Sequence, residues 1–277
     1  MALGGGLAAA APSPDAYAAD SLAENATIEV KYSVKIGSFN LGTFKLTNHI
    51  QGTVYRIRGD GRFSILEGLL YEWRGTTASV GRVTTAGIQP SKYSLSYKGG
   101  KAVEEVRMSF VRGAVSELEL VPPKQPSAHN VPITAKQLED ALDPMSAAFL
   151  FARSTDTSGD LSICKQTVPV FDGRQRFDIK LSPKSRVQLS GNGTGYKGPA
   201  VVCQAKYIPV GGHRPDNPGV QMLSQTDQIE IWMVPMAGTG LYVPYKVVIP
   251  TGIGLGTAVA TSFKIAGPRR ASLESGE

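Results

Sequence analysis

Thr27-Ile28-Glu29-Val30-Lys31-Tyr32-Ser33-Val34-Lys35-Ile36 is the stretch that decides the fold class. Ile28, Val30, Tyr32, Val34 and Ile36 alternate with mostly polar neighbours, a period of two rather than the helical period of about 3.6. In a pleated strand that alternation places every apolar side chain on one face and leaves the other face to water. Gly37 to Gly42 then holds a turn, and Thr43 to Ile50 reads as the return strand. Outward from this hairpin the same signature repeats. A strand through Tyr55 and Ile57 is expected to end at Gly59-Asp60-Gly61, and others cover Leu69–Gly75, Val80–Thr85, Lys92–Lys98, Glu104–Val111 and Val115–Val121. Closely spaced turn residues between short strands predict an antiparallel meander rather than βαβ units.

A proline-punctuated crossing follows, from Val121-Pro122-Pro123 to Pro132, where missing N–H groups and fixed φ discourage sheet pairing. The helical signal lies at about 134–153. Thr134 and Gln137 fit a capping box. Asp143-Pro144 reads as an N-cap followed by proline in the first helical position. Met145, Ala148, Phe149 and Ala152 form an apolar stripe at helical spacing, which predicts packing on a sheet. Strands then resume: Thr167–Phe171 and Gln175–Leu181 around the turn Asp172-Gly173, then Ala200–Ile208, Gln228–Val234, Tyr242–Pro250 and Thr257–Ile265. Asp-Gly suits the positive φ of a tight hairpin turn. Ser190–Gly198 and Gly211–Gly219 are expected to be loops.

The resulting expectation is a mainly β chain with one short helical element. An N-terminal leader covers residues 1–26, a single β-rich domain 27–265 and a flexible tail 266–277. The 31 glycines and 18 prolines among 277 residues fit a turn-rich fold. The net charge of +6 comes from scattered Lys and Arg, which gives no stripe for nucleic acid. Tyr55-Arg56-Ile57-Arg58 is the nearest approach to one. No stretch has the roughly 20 apolar residues of a membrane-spanning helix. Ala2–Ala11 is a small-residue apolar run, followed by Ala16-Tyr17-Ala18, which matches the A-x-A pattern before a signal-peptide cleavage site. The leader therefore reads as the back half of a secretory signal; a plain Ala/Gly/Pro-rich leader is the alternative.

Cys164 and Cys203 are the two cysteines. In an exported β-rich domain they are expected to form one disulfide, the alternative being two buried thiols in a reducing compartment. Their spacing fits neither a C-x-x-C redox motif nor a zinc site. His49, His129 and His213 show no metal-ligand spacing. Gly193-Thr-Gly195-Tyr-Lys-Gly198 matches G-x-G-x-x-G, but a strand rather than a helix follows, so no dinucleotide site is expected. No nucleophile elbow or phosphate loop is present. No catalytic, metal or cofactor residue is expected, and no cofactor. Asp172, Asp178 and Glu230 are the carboxylates left for an enzyme reading, which needs a set separation in space. Among the strand and helix aromatics, Tyr71, Trp73, Phe149 and Trp232 are the candidates to line a ligand cavity; filling the core is the usual role of such rings.

Several short motifs carry a family resemblance. They are Tyr32-Ser-Val-Lys-Ile-Gly37 with Gly42, Leu142-Asp-Pro-Met-Ser-Ala147, Val170-Phe-Asp-Gly-Arg174 with Arg176-Phe-Asp178, Gly195-Tyr196 before Cys203, and Ile231-Trp232 before Val243-Pro244. On these the chain from about Ile28 to Ile265 resembles the DUF3108 family, exported bacterial proteins carrying a domain of unknown function. The resemblance implies a strongly curved sheet or open barrel, similar in broad shape to the half-barrel carriers of lipoproteins, and brings no catalytic residues. The expected function is a non-enzymatic periplasmic protein of the Gram-negative envelope that binds a hydrophobic ligand, lipid or lipoprotein-like, in a concave sheet. A scaffold docking another envelope protein is the first alternative, and an enzyme acting on the cell wall the second. The expected partners are a lipid or an envelope protein, with no nucleic acid and at most a peripheral contact with a membrane.

Overall fold

The computed structural model describes residues 25–65, 71–84, 87–100, 102–123, 127–151, 159–191, 193–236 and 239–266. The proposed leader and tail, and the helical-stripe residue Ala152, lie outside these residues apart from Asn25, Ala26 and Ala266. The meander is built as the period-two pattern dictates. Seven antiparallel strands follow one another: β1 (Ala26–Ile36), β2 (Phe39–Gln51), β3 (Val54–Ile65), β4 (Tyr71–Thr84), β5 (Gly87–Gly99), β6 (Ala102–Val111) and β7 (Ala114–Val121). After the crossing come β8 (Leu150–Phe151), β9 (Thr167–Phe171), β10 (Arg176–Leu189), β11 (Gly198–Gly211), β12 (Ile229–Pro235), β13 (Leu241–Thr251) and β14 (Gly254–Ala266). All join one 14-stranded sheet in the order β7-β6-β5-β4-β3-β2-β1-β14-β13-β12-β11-β10-β9, with β8 paired to β13. The two halves are therefore one meander each, fused where β1 pairs with β14.

On β1 the alternation is realised directly. Ile28, Val30 and Tyr32 are buried, and the register carries them across to Asn48, Leu46 and Phe44 of β2. The buried face continues through Ile57, Val106 and Met108. A second cluster, around Ile163, Cys164, Val201, Cys203 and Met233, forms the core of the C-terminal half.

The structure extends several strands beyond their expected ends. β3 runs straight through Gly59-Asp60-Gly61, and the blocks around Trp73 and Val80 are a single strand, β4. The glycines do not turn the chain; they make room. A Cβ on Gly59 would lie 2.5 Å from Phe44 Cζ and 2.7 Å from Thr77 Cγ2, far inside contact distance. β10 likewise continues past Leu181 to Leu189, absorbing Pro183 with a register shift at Pro183/Ser185, as expected where a residue without an N–H interrupts the ladder.

The helical signal at 134–153 resolves into two short pieces. Thr134 and Gln137 do form the capping box, on a single 3₁₀ turn at Ala135–Leu138. Asp143 caps α1 (Pro144–Ala147), which ends early because Leu150 and Phe151 pair with Tyr242 and Leu241 of β13. An open strand edge offers those residues backbone partners that outweigh a weak helix propensity. A longer helix, α2 (Pro218–Gln225), starts where a loop was expected. Its signal, Asn217-Pro218, is the same N-cap and N1 proline pairing as Asp143-Pro144; the Asn217 side chain accepts from the N–H groups of Gly219 and Val220.

The sheet curls but does not close into a barrel. Its outermost strands, β7 and β9, do not pair with each other; the segment between the halves spans the gap through isolated bridges, Glu139 to Ala114 of β7 and Leu142 to Val170 of β9. The β9–β10 turn locks this seam. Arg174 forms an ion pair with Glu104 on β6, and Arg176 Nε donates to the Gln137 carbonyl at 2.8 Å. Just before Arg174, Gly173 has φ +95°, and a Cβ there would lie 2.5 Å from Val106 Cγ1. Gly173→Ala combines backbone strain with overpacking, so a loss of about 2–3 kcal/mol is expected, read as a lower urea midpoint at unchanged m-value.

Candidate functional site: the seam cleft

Where the sheet fails to close, it leaves a half-open cleft of about 870 Å³, within the size range of small-molecule sites. Ile88 and Pro90 at the start of β5, Leu142, Phe149 and Leu150 around α1, and Ile163 and Val168 before and within β9 give it the apolar part of its lining. Arg112, Asp140, Asp160 and Lys165 supply charge among the same walls, and Gln89, Ser162, Gln166 and Thr167 add uncharged polar groups, so the lining is polar and apolar in about equal part. Asp160 is held below the usual carboxylate range by hydrogen bonds from Ser162, whose backbone N–H donates at 2.8 Å.

Two devices hold the walls. The first is a polar cluster beneath α1. Asp143, fully buried, accepts the N–H groups of Met145 and Ser146 on Oδ1 at 2.9 and 3.0 Å, and the hydroxyls of Ser146 and Ser79 on Oδ2 at 2.6 and 2.8 Å. Ser146 Oγ also lies 2.7 Å from the Tyr55 hydroxyl and 2.9 Å from Ser79 Oγ. A buried carboxylate is tolerated only when so fully bonded. Burial pushes its pKa up, against the downward pull of these hydrogen bonds. Burial also raises the Tyr55 phenol well above its ordinary value, with Asp143 adding to the shift. Although serine, aspartate and tyrosine meet here, no histidine joins them and Ser79, Asp143 and Ser146 are all solvent-excluded. The cluster pins α1 to β3 and β4.

The second device is the disulfide. Cys164 and Cys203 are bonded, with Cα atoms 5.3 Å apart. Cys164 ends a 3₁₀ turn at Leu161–Cys164, so the bond fastens a cleft-lining segment to β11.

The four aromatic candidates are not brought together. Phe149 is buried in the cleft wall. Trp73 is half-buried in a row on β3–β5, its ring 5.1 Å from Phe63 and 5.5 Å from Tyr97. Trp232 lies under the Lys246 ammonium, 4.8 Å away, and donates to Glu230 at 3.2 Å. The side chain of Tyr71 lies outside the described residues. The three carboxylates are each occupied locally. Asp172 caps its own turn, accepting from Arg174 and Gln175 N–H at 2.7 Å each. Asp178 pairs with Arg176 at 2.6 Å, and Glu230 with Lys184. Gly193–Gly198 packs inward through Tyr196, whose ring lies 5.4 Å from Phe263. Among the described residues no group of three His, Cys, Asp or Glu side chains is arranged to hold a metal ion, and no helix is long and apolar enough to cross a membrane. Tyr55 and Ile57 point into the core, away from exposed Arg56 and Arg58, so no basic-aromatic face forms there.

Fold and cleft define an open, curled antiparallel sheet with a lined seam. The family model described as protein of unknown function (DUF3108) matches residues 31–261, and the chain belongs to that family. Among solved structures it is similar to the crystal structure of a beta-barrel-like protein of domain of unknown function DUF1849 from Brucella abortus. That similarity has 10% identity and a TM-score of 0.47, over 88% of this chain and 98% of that one. No curated protein matches it.

Proposed function

We propose that this protein is a non-enzymatic, exported binding protein of the bacterial envelope that holds a hydrophobic ligand in the seam cleft. The single observation behind the reading is the cleft itself, a space of about 870 Å³ whose wall is apolar and polar in about equal part and is braced from both sides. The site lies at the seam rather than on the middle of the concave face, because α1 and the buried side chains occupy that middle. Periplasmic location draws support from the Ala16-Tyr17-Ala18 pattern and from the disulfide, which persists in oxidising compartments. A non-catalytic role draws support from carboxylates committed to caps and ion pairs.

The apolar fluorophore N-phenylnaphthylamine tests the reading. It should bind saturably, and Thr167→Trp, which puts bulk into the cleft from an exposed position, should weaken binding about tenfold. No uptake, or uptake indifferent to Thr167→Trp, would overturn it. A second reading, a scaffold for another envelope protein, is favoured by one feature: among the described residues, β7 beyond Ala114 pairs only with β6, leaving an open edge.

A further inference from the structure

At the other end of β5 the exposed face of the sheet carries an arrangement that folding alone disfavours. Arg62 on β3, Arg74 on β4 and Lys98 on β5 stand directly opposite one another, and Lys31 on β1 stands opposite Lys45 on β2. Like charges in cross-strand register are destabilising. These five cations line one groove of about 710 Å³, with Asp60 the single carboxylate among the described residues of its lining. Lys45 and Arg74 have acidic partners at the rim, Glu29 at 3.2 Å and Glu72 at 2.6 Å. Lys31, Arg62 and Lys98 form no ion pair among the described residues, which leave the groove with more positive than negative charge.

A second feature lies at the same end of the sheet. The β1–β2 and β13–β14 turns sit side by side, Gly37 N–H donating to the Leu255 carbonyl at 2.9 Å. They expose Phe39 at 70%, Ile253 at 83% and Leu255 at 48%. Large apolar groups at turn tips gain nothing for the core, and two adjacent tips make a patch rather than a stray side chain. Phe39 is four residues along β2 from Thr43, which stands opposite Arg62. That is about 13 Å of strand, and the register shift at Val34/Lys35 sets Phe39 opposite Ile36, so the tips stand at the end of the sheet beyond the cations rather than on their face.

We propose that this end of the sheet docks on an anionic membrane surface, the groove taking phosphate-bearing lipid headgroups and the two tips entering the interfacial layer. A soluble polyanion would use the cations and leave Phe39 and Ile253 in water. A bilayer uses both, which is why the membrane is the chosen partner. The proposal is independent of any ligand in the seam cleft.

Co-sedimentation of the whole protein with vesicles tests it. Equal parts phosphatidylcholine and phosphatidylglycerol should pellet the protein and phosphatidylcholine alone should not, with binding weakened by salt. At about fivefold per basic residue, Arg62→Ser with Lys98→Ser should lower partitioning more than tenfold, and Arg62→Lys with Lys98→Arg should retain it. Phe39→Ser with Ile253→Ser should lower it about tenfold while leaving binding to inorganic polyphosphate intact. All of these side chains are exposed, and unchanged thermal unfolding confirms that the variants fold. No pelleting with the anionic vesicles, or pelleting indifferent to either pair of serine substitutions, overturns the proposal. So does a concentration-dependent dimer that the Phe39→Ser, Ile253→Ser variant abolishes in a protein that ignores vesicles, since the tips would then face a second copy.

Discussion

Asp143→Ala is expected to cost about 4 kcal/mol. The loss of an N-cap accounts for about 1–2 of these, and the orphaned hydroxyls and N–H groups in a water-free site for the rest. Ser79 and Ser146 lose their shared acceptor, and the N–H groups of Met145 and Ser146 lose theirs. With α1 freed from β3 and β4, Leu142 and Phe149 leave their places in the cleft wall, so probe binding falls together with stability. Asp143→Asn is milder, because an amide oxygen still accepts from the backbone and the amide N–H groups meet serine oxygens. The pH dependence has a definite sign. Burial raises the Asp143 pKa, so the folded chain holds that proton more tightly than the unfolded chain does. Its contribution is therefore fully present below the unfolded carboxylate pKa and declines as pH rises from there toward the folded value. Urea midpoints of wild type and Asp143→Asn across the acidic range check this: the wild type should lose the relative advantage as pH rises, and the variant should lack that component.

Opening the disulfide is the second large effect. Closing a loop with a sequence separation of 39 stabilises by about 4 kcal/mol on the chain-entropy model. The paired substitution Cys164→Ser, Cys203→Ser should lower the urea midpoint accordingly. It also buries two hydroxyls where both sulfurs are fully excluded from solvent, so Cys→Ala at both positions should be milder than Cys→Ser. In either variant the 3₁₀ turn at Leu161–Cys164 is released from β11, and probe affinity should drop before the fold is lost. A reducing agent should reproduce the effect in the wild type alone.

What the sequence made legible was local. Period-two alternation marked β1 and most of its successors, and the caps at Thr134 and Asp143 marked two true helix starts. The resemblance to the family on motifs such as Asp143-Pro144 and Arg174 matched the family model. Lengths were less legible, because they depend on neighbours. Gly59 and Gly61 read as a turn until Phe44 is placed over them, and Phe149 reads as helical until β13 offers an edge. The α2 start was legible in Asn217-Pro218, but the surrounding glycines and prolines argued for a loop. The seam cleft was not legible at all. Its walls come from five separate chain segments, and only the failure of β7 to meet β9 brings them together. The motifs Val170–Arg174 and Leu142–Ala147 were visible in the sequence, whereas their role in bracing that seam appears only in three dimensions.

The most direct test of the central claim is a methyl-resolved NMR titration with the apolar probe. Ligand in the seam cleft predicts that Ile88, Leu142, Leu150, Ile163 and Val168 shift saturably, while Val30, Leu46 and Val106 on the concave face stay in place. Shifts confined to the concave-face methyls, or no saturable shift at the cleft, would contradict it.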